Sequence, residues 1–187
     1  MATPFPITLP SGSVLGRLAL TAGDAESIPL AQLAAAIGIP FLNSPITKRK
    51  PADQSLTTQT SLQNDSDLAF AIAANEEWVV TFELSIGSAL TTTGIRIGVT
   101  TPAGATLELD MFGVADSITQ ASSNRTTTAG ATIVFAPTAN SGMLHGFLWV
   151  LNGTTPGTIQ FQFAQNSSSG TALTLRKGSF MQATRVA

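Results

Sequence analysis

From Ser55 to the C-terminus, apolar and polar residues alternate with a period of two. That period sends successive side chains to opposite faces of an extended chain, so it predicts β-strands. Eight stretches carry it: "DLAFAIAA" (67–74), "WVVTFELSIG" (78–87), "IRIGVTT" (95–101), "TLELDMFG" (106–113), "ATIVFAP" (131–137), "GMLHGFLWVLNG" (142–153), "TIQFQFAQN" (158–166) and "LTLRKGSFMQATRV" (173–186). The pattern is cleanest in "TIQFQFAQ", where Ile159, Phe161 and Phe163 face one way and Gln160, Gln162 and Gln165 largely the other. The breaks hold "NEE", "TPAG", "NGTTPG" and "NSSSG", which is turn chemistry. Ser/Asn/Thr tracts at 121–128 and 166–171 read as loops, and no internal repeat is evident. Strands at this spacing with no helix between them predict an antiparallel sandwich or barrel, with a jelly roll the first choice.

Ahead of Ser55 the pattern changes. In "GRLALTAGDAESIPLAQLAAAIG" (16–38), Leu30, Leu33, Ala34 and Ile37 fall at i, i+3, i+4 and i+7, one face of a helix. Ser27 suits its N-cap, Pro29 its first turn, and Gly38 with Pro40 its end. The predicted helix, about 28–38, is short enough to be marginal alone in water. It must therefore lean on its own domain or on a partner. Residues 1–13 carry three prolines and read as extended. "NSPITKRKPADQ" (43–54) has a linker's composition, and its run Lys48, Arg49, Lys50 reads as a solvated loop or a contact for an acidic partner. The expected division is an N-terminal arm at 1–45, a linker at 46–54 and an all-β domain at 55–187.

Composition sharpens this picture by what is missing. Hydrophobic residues make up 43%, enough for a core, but charged residues only 11%, against roughly 25% in an average soluble protein. Thr, Ser, Asn, Gln and Gly take their place, giving a neutral, hydrogen-bonding surface that can pack on other proteins without burying unpaired charge. A net charge of −2 gives neither the footprint of a nucleic-acid binder nor a polybasic membrane signal. With no cysteine there is no disulfide and no thiolate zinc site. No apolar run approaches the length that spans a bilayer, and "MATPFPITLP" lacks the layout of a secretory signal, so synthesis in a cytoplasm is expected.

Candidate chemistry is sparse. His145 is the only histidine, and no nucleophile elbow accompanies it. Glu76 and Glu77 sit at a turn, while Glu108 and Asp110 share one strand face. Such carboxylates could serve glycoside hydrolysis or bind calcium loosely, but a solvated face is the simpler reading. "GSALTTTG" lacks the lysine of a phosphate-binding loop. Trp78 and Trp149 lie in strongly apolar strands and are expected in the core, although a sugar-stacking platform is the other use of such rings. Four glycosylation sequons are matches expected by chance in so Ser/Thr/Asn-rich a chain. No enzyme activity, cofactor or metal is expected.

"SVLGRLALTAGDAESIPLAQL", with Leu15, Gly16, Arg17 and then Gly23, Asp24, Ala25, Glu26 and Ser27, resembles the N-terminal segment of tailed-phage fibre and appendage proteins. The region 50–187, from "KPADQSLTTQTSLQNDSDLAF" to "GSFMQATRV", looks like a domain common in phage structural proteins. The resemblance implies a trimeric virion protein, made in the host cytoplasm, with a jelly roll like that of tumour-necrosis-factor-type folds. A head fibre or capsid-decoration protein is the first expectation; a short tail fibre or a receptor- or carbohydrate-binding module that meets a host surface glycan is the alternative. On this reading Leu15, Arg17, Ile28, Leu30, Leu33 and Ile37 would dock the arm on capsid or tail proteins, and Gln160, Gln162 and Gln165 would contact ligand or sister subunits.

Overall fold

The structure is a computed structural model that describes residues 13–16, 26–29, 44–88, 93–115, 121–135 and 142–187. The chain divides into two compact units, Met1–Ser44 and Pro45–Ala187.

In the first unit, β1 (Ser13–Gly16) and β2 (Glu26–Pro29) form an antiparallel pair, with Val14 opposite Ile28 and Leu15 opposite Ser27. The segment expected to open a helix, Ser27–Pro29, is therefore strand. β-branched Ile28 is buried there, and a proline is tolerated at the end of a two-stranded ribbon, where its missing N–H breaks no ladder. The remaining positions of the expected helix, with Leu30, Leu33 and Ile37, lie outside the described residues, as does Arg17.

The second unit is all-β among its described residues. Its strands are β3 (Ile46–Arg49), β4 (Gln54–Leu56), β5 (Gln63–Ile72), β6 (Glu77–Ser88), β7 (Ile95–Thr100), β8 (Thr106–Ala115), β9 (Ala121–Thr126), β10 (Ile133–Phe135), β11 (Gly142–Leu151), β12 (Gly157–Gln165), β13 (Leu173–Leu175) and β14 (Phe180–Arg185). All described pairings are antiparallel. They make a larger sheet in the order β3-β14-β6-β11-β8-β9, with β13 bridging β6 and β4, and a smaller sheet in the order β10-β7-β12-β5.

The two sheets share one core. β6 contributes Trp78, Val80, Phe82, Leu84 and Ile86; β12 contributes Ile159, Phe161 and Phe163 from the opposite sheet. Phe82 and Phe161 meet across the layers at 5.6 Å between ring centroids, and Phe70 of β5 packs edge-on to Trp78 at 5.1 Å. This is the face-to-face packing that strand alternation dictates. The stretch 173–186 splits into β13 and β14 because Arg176–Ser179 turns through Gly178, whose φ of +91° only glycine adopts at no steric cost. Residues 121–126, read as loop from their polar composition, form the outer strand β9, paired antiparallel with β8 over Leu109–Val114.

The expected linker is part of this domain. β3 pairs with β14, placing Ile46 opposite Ala183 and Arg49 opposite Phe180. Lys50 follows it, and its backbone N–H donates to the carbonyl of Ser179 at 2.8 Å. The Lys50 side chain is fully buried rather than solvated. Its Nζ donates to Asp65 Oδ2 at 2.6 Å, Asp67 Oδ2 at 2.9 Å and Gln54 Oε1 at 3.3 Å. A buried charge is tolerated when paired and hydrogen-bonded, and here each ammonium proton has an acceptor. The Lys50 ammonium and the Ser66 hydroxyl hold the Asp67 carboxyl below the usual carboxylate range.

Candidate interaction face

β11 runs through the middle of the larger sheet, between β6 and β8. Alternation buries Gly142, Leu144, Gly146, Leu148 and Val150 and turns Met143, His145, Phe147, Trp149 and Leu151 away from the core. The inward glycine at 146 has a packing reason: a Cβ there would run into Met111 and Phe82. The outward set is the unusual one, because four of its five members are large and apolar. Met143 is 51% exposed, Leu151 43%, Phe147 41%, and Phe112 on β8, opposite His145, 43%. At about 150–250 Å² for a large aromatic side chain, this stripe leaves roughly 300 Å² of apolar surface in water. That is the range of the largest, often functional, patch on an ordinary monomer.

Polar groups on this face are paired among themselves. Phe147 lies between Thr81 of β6 and Asp110 of β8, and Trp149 between Val79 and Glu108. Glu83 Oε1 meets His145 Nδ1 at 2.6 Å across β6 and β11. Arg125 of β9 pairs with Glu108 and lies 3.9 Å from Asp110. Glu77 Oε1 accepts the indole N–H of Trp149 at 2.6 Å. The two glutamates of the turn thus serve the two tryptophans. Glu76 Oε2 accepts the Trp78 indole N–H at 3.0 Å and the Ala73 backbone N–H at 2.7 Å, while its Oε1 takes the Arg185 guanidinium at 2.8 Å. Burial pushes the Glu76 pKa up, but those three donors together outweigh it and hold the carboxyl below its ordinary value. Trp78 is in the core as expected, but Trp149 is only half-buried, on the outer face.

The three glutamines lie elsewhere, on β12 of the smaller sheet, and they act within the subunit. Gln165 is fully buried: its Nε2 donates to the carbonyls of Thr171 at 2.8 Å and Leu56 at 3.3 Å, and its Oε1 accepts the Ser169 N–H at 3.1 Å. It staples the 166–171 loop and is no surface contact, because alternation stops at Phe163 and Phe163, Ala164 and Gln165 are buried in succession. Gln160 Nε2 donates to the Asp65 carbonyl at 2.9 Å where the β12–β5 register shifts, and Gln162 Nε2 donates to Asn64 Oδ1 at 2.8 Å. Of the expected arm contacts, Leu15 is in β1 and Ile28 is buried in β2.

The β11 face was missed at the sequence level, yet its signal is present: "GMLHGFLWVL" is apolar in both phases of the period, which an antiparallel strand with one wet face would not be. No protein-family model and no curated protein matches the chain. Among solved structures it is similar to an Eiger tumour-necrosis-factor protein from S. frugiperda, with a TM-score of 0.37, 6% identity, and 78% of this chain and 93% of that one covered. It is also similar to the infectious bursal disease virus Gt strain (TM-score 0.23, 12% identity, 100% and 47% covered) and to a VP2 subviral particle of that virus (0.22, 11%, 100% and 49%). The chain spans about half the length of those two viral chains. At such scores none of these likenesses bears on function.

Proposed function

We propose that the chain is a structural protein of a tailed-phage virion, a head fibre or capsid-decoration protein that works as a homotrimer and docks through residues 1–45. The nested pairing, with β14 between β3 and β6 and β12 between β5 and β7, supports a jelly roll as its display domain. One observation carries the assembly: the apolar face of β11 and β8, whose charges are already matched within the subunit. Covering it with another copy removes apolar surface from water and leaves few charges without a partner. At roughly 4.8 Å between strands and 3.4 Å per residue, the central strands β6, β11 and β8 offer about 500 Å² in projection, a fair share of the ~800 Å² each partner contributes to a standard interface. The occupant proposed is a second copy of this chain, repeated about a three-fold axis. The virion setting rests on the Gly16–Ser27 phrase, and a non-catalytic role on the pairing of Glu108 and Asp110 with Arg125.

Light scattering on the eluting wild-type chain should give three times the subunit mass, and Phe147→Asp should give a folded monomer. A monomeric wild-type chain overturns the assembly. Removing residues 1–42 should leave a folded domain that no longer joins particles; decoration by the truncated form overturns the docking role. A glycan-binding tip is the second reading, favoured by the exposed rings of Phe112 and Phe147 beside Asp110. It predicts aromatic-dependent retention on host polysaccharide by a protein that remains a monomer.

A further inference from the structure

The Lys50 site contains more than an ion pair needs. Lys50 and Asp65 are both fully buried, and Nζ stands 2.6 Å from Asp65 Oδ2. The other oxygen, Asp65 Oδ1, accepts two backbone N–H groups, those of Asp67 and Leu68, each at 2.9 Å. Asp67 completes the group, with Oδ2 at 2.9 Å from the same Nζ and its side chain 26% exposed. An amine, a carboxyl carbon, a two-donor cradle on the oxygen that would gain charge, and a second carboxylate within reach of the amine are the parts required for amide formation.

We infer that Lys50 and Asp65 condense into an intramolecular amide, with Asp67 relaying the proton. The ammonium passes one proton directly to Asp65 Oδ2, leaving a neutral amine beside a neutral carboxyl. The amine lone pair attacks Asp65 Cγ, and the carbonyl electrons move to Oδ1, where the N–H groups of Asp67 and Leu68 hold the oxyanion. The Asp67 carboxylate takes a proton from the new C–N nitrogen and delivers it to the Oδ2 hydroxyl. Oδ2 leaves as water while the carbonyl re-forms. One C–N bond is made and one C–O bond broken; no oxidant or outside reagent enters, and Asp67 ends as it began. Its partial exposure opens a path for the water.

The placement gives the bond a use. Lys50 follows β3, at one end of the larger sheet, and Asp65 lies in β5, at the end of the smaller sheet. The amide would close that edge of the sandwich covalently. Tension applied ahead of β3 would otherwise separate β3 from β14 by breaking backbone hydrogen bonds alone; the amide stops that separation at Lys50. The inference does not depend on the proposed assembly or its setting.

Intact-mass spectrometry of the denatured full chain decides it. The wild-type protein should be lighter than its sequence mass by one water, and a peptide map should contain one branched species joining residues 50 and 65. Asp65→Asn should instead lose one ammonia, because the amide nitrogen is then the leaving group. Asp67→Asn and Lys50→Arg should keep their full sequence masses, the latter as the charge-retaining control. Wild-type protein at its full sequence mass while showing a cooperative melt overturns the inference. A bond that still forms in Asp67→Asn overturns the relay role given to Asp67.

Discussion

Two regions of this domain use the same chemistry in opposite surroundings. Around Lys50, in the chain before an amide forms, an ammonium and two carboxylates sit beneath the sheet edge, with Lys50 and Asp65 fully out of water. On the β11 face, Glu83 with His145 and Glu108 with Arg125 lie among exposed apolar side chains, more than a third of each group's surface in water or close to it. The distances are similar, yet the consequences differ. A buried pair has already given up its hydration, so losing one partner strands the other. An exposed pair can exchange its partner for water at little loss. Position in the sheet therefore decides whether charge holds the subunit together or keeps a face ready to be covered.

The largest effect should come from breaking the buried group. Lys50→Met leaves Asp65 with its Oδ1 bonds but no cation, and it unties β3 from β5. A loss of about 3–5 kcal/mol in the unfolding free energy, measured by urea titration, is expected. A loss below about 1 kcal/mol would mean that water reaches Asp65 once the lysine is gone, and the contrast between the two regions would fail.

That site shows where a linear reading stops. The strands with one apolar phase, such as Ile159, Phe161 and Phe163 or Val80, Phe82 and Leu84, were legible because burial of a sheet face enforces the period. β3, β4 and β9 were not. β3 and β4 are short and fixed by pairing with strands remote in sequence, β14 and β13, while β9 is polar and held by its neighbour β8. Lys50 looked like part of a basic linker because its carboxylates stand 15 and 17 residues away, within an apolar strand. The two aspartates in "NDSDLAF" were the available signal: acids at i and i+2 leading straight into the buried positions Leu68, Phe70 and Ile72 call for a cation. Gln165 misled for a related reason. Its strand's alternation ends two residues before it, and composition cannot report that.

Glu76 lies between the two extremes, with its side chain 16% exposed and Arg185 on β14 as its ion-pair partner. Its depressed pKa has a definite sign for stability. A carboxyl whose folded pKa is below its unfolded one contributes stability above the unfolded value and loses it as pH falls through the folded one. The thermal midpoint should therefore be flat from neutral pH to about 5 and fall below about 4, the ordinary carboxylate range. Glu76→Gln should lower the neutral-pH stability by about 1–2 kcal/mol and make the acid fall shallower. An unchanged acid limb in this variant would show that Glu76 is ionised no more easily in the folded chain than in the unfolded one.

The smallest effect on the subunit should come from the exposed pair, and it is the most informative about the β11 face. In a lone subunit, Glu83→Gln alters an exposed hydrogen bond to His145 that water can replace, so the unfolding free energy should move by no more than about 0.5 kcal/mol. If a second copy covers Phe147 and Phe112, the same change leaves His145 without its carboxylate inside an interface, where a missing partner weakens association far more than it weakens the fold. Melting of dilute protein and light scattering of concentrated protein separate the two quantities. A melt like the wild type's with a weakened assembly is the expected combination. If both are unchanged, the β11 face stays in water, and the apolar stripe has some use other than joining copies of this chain.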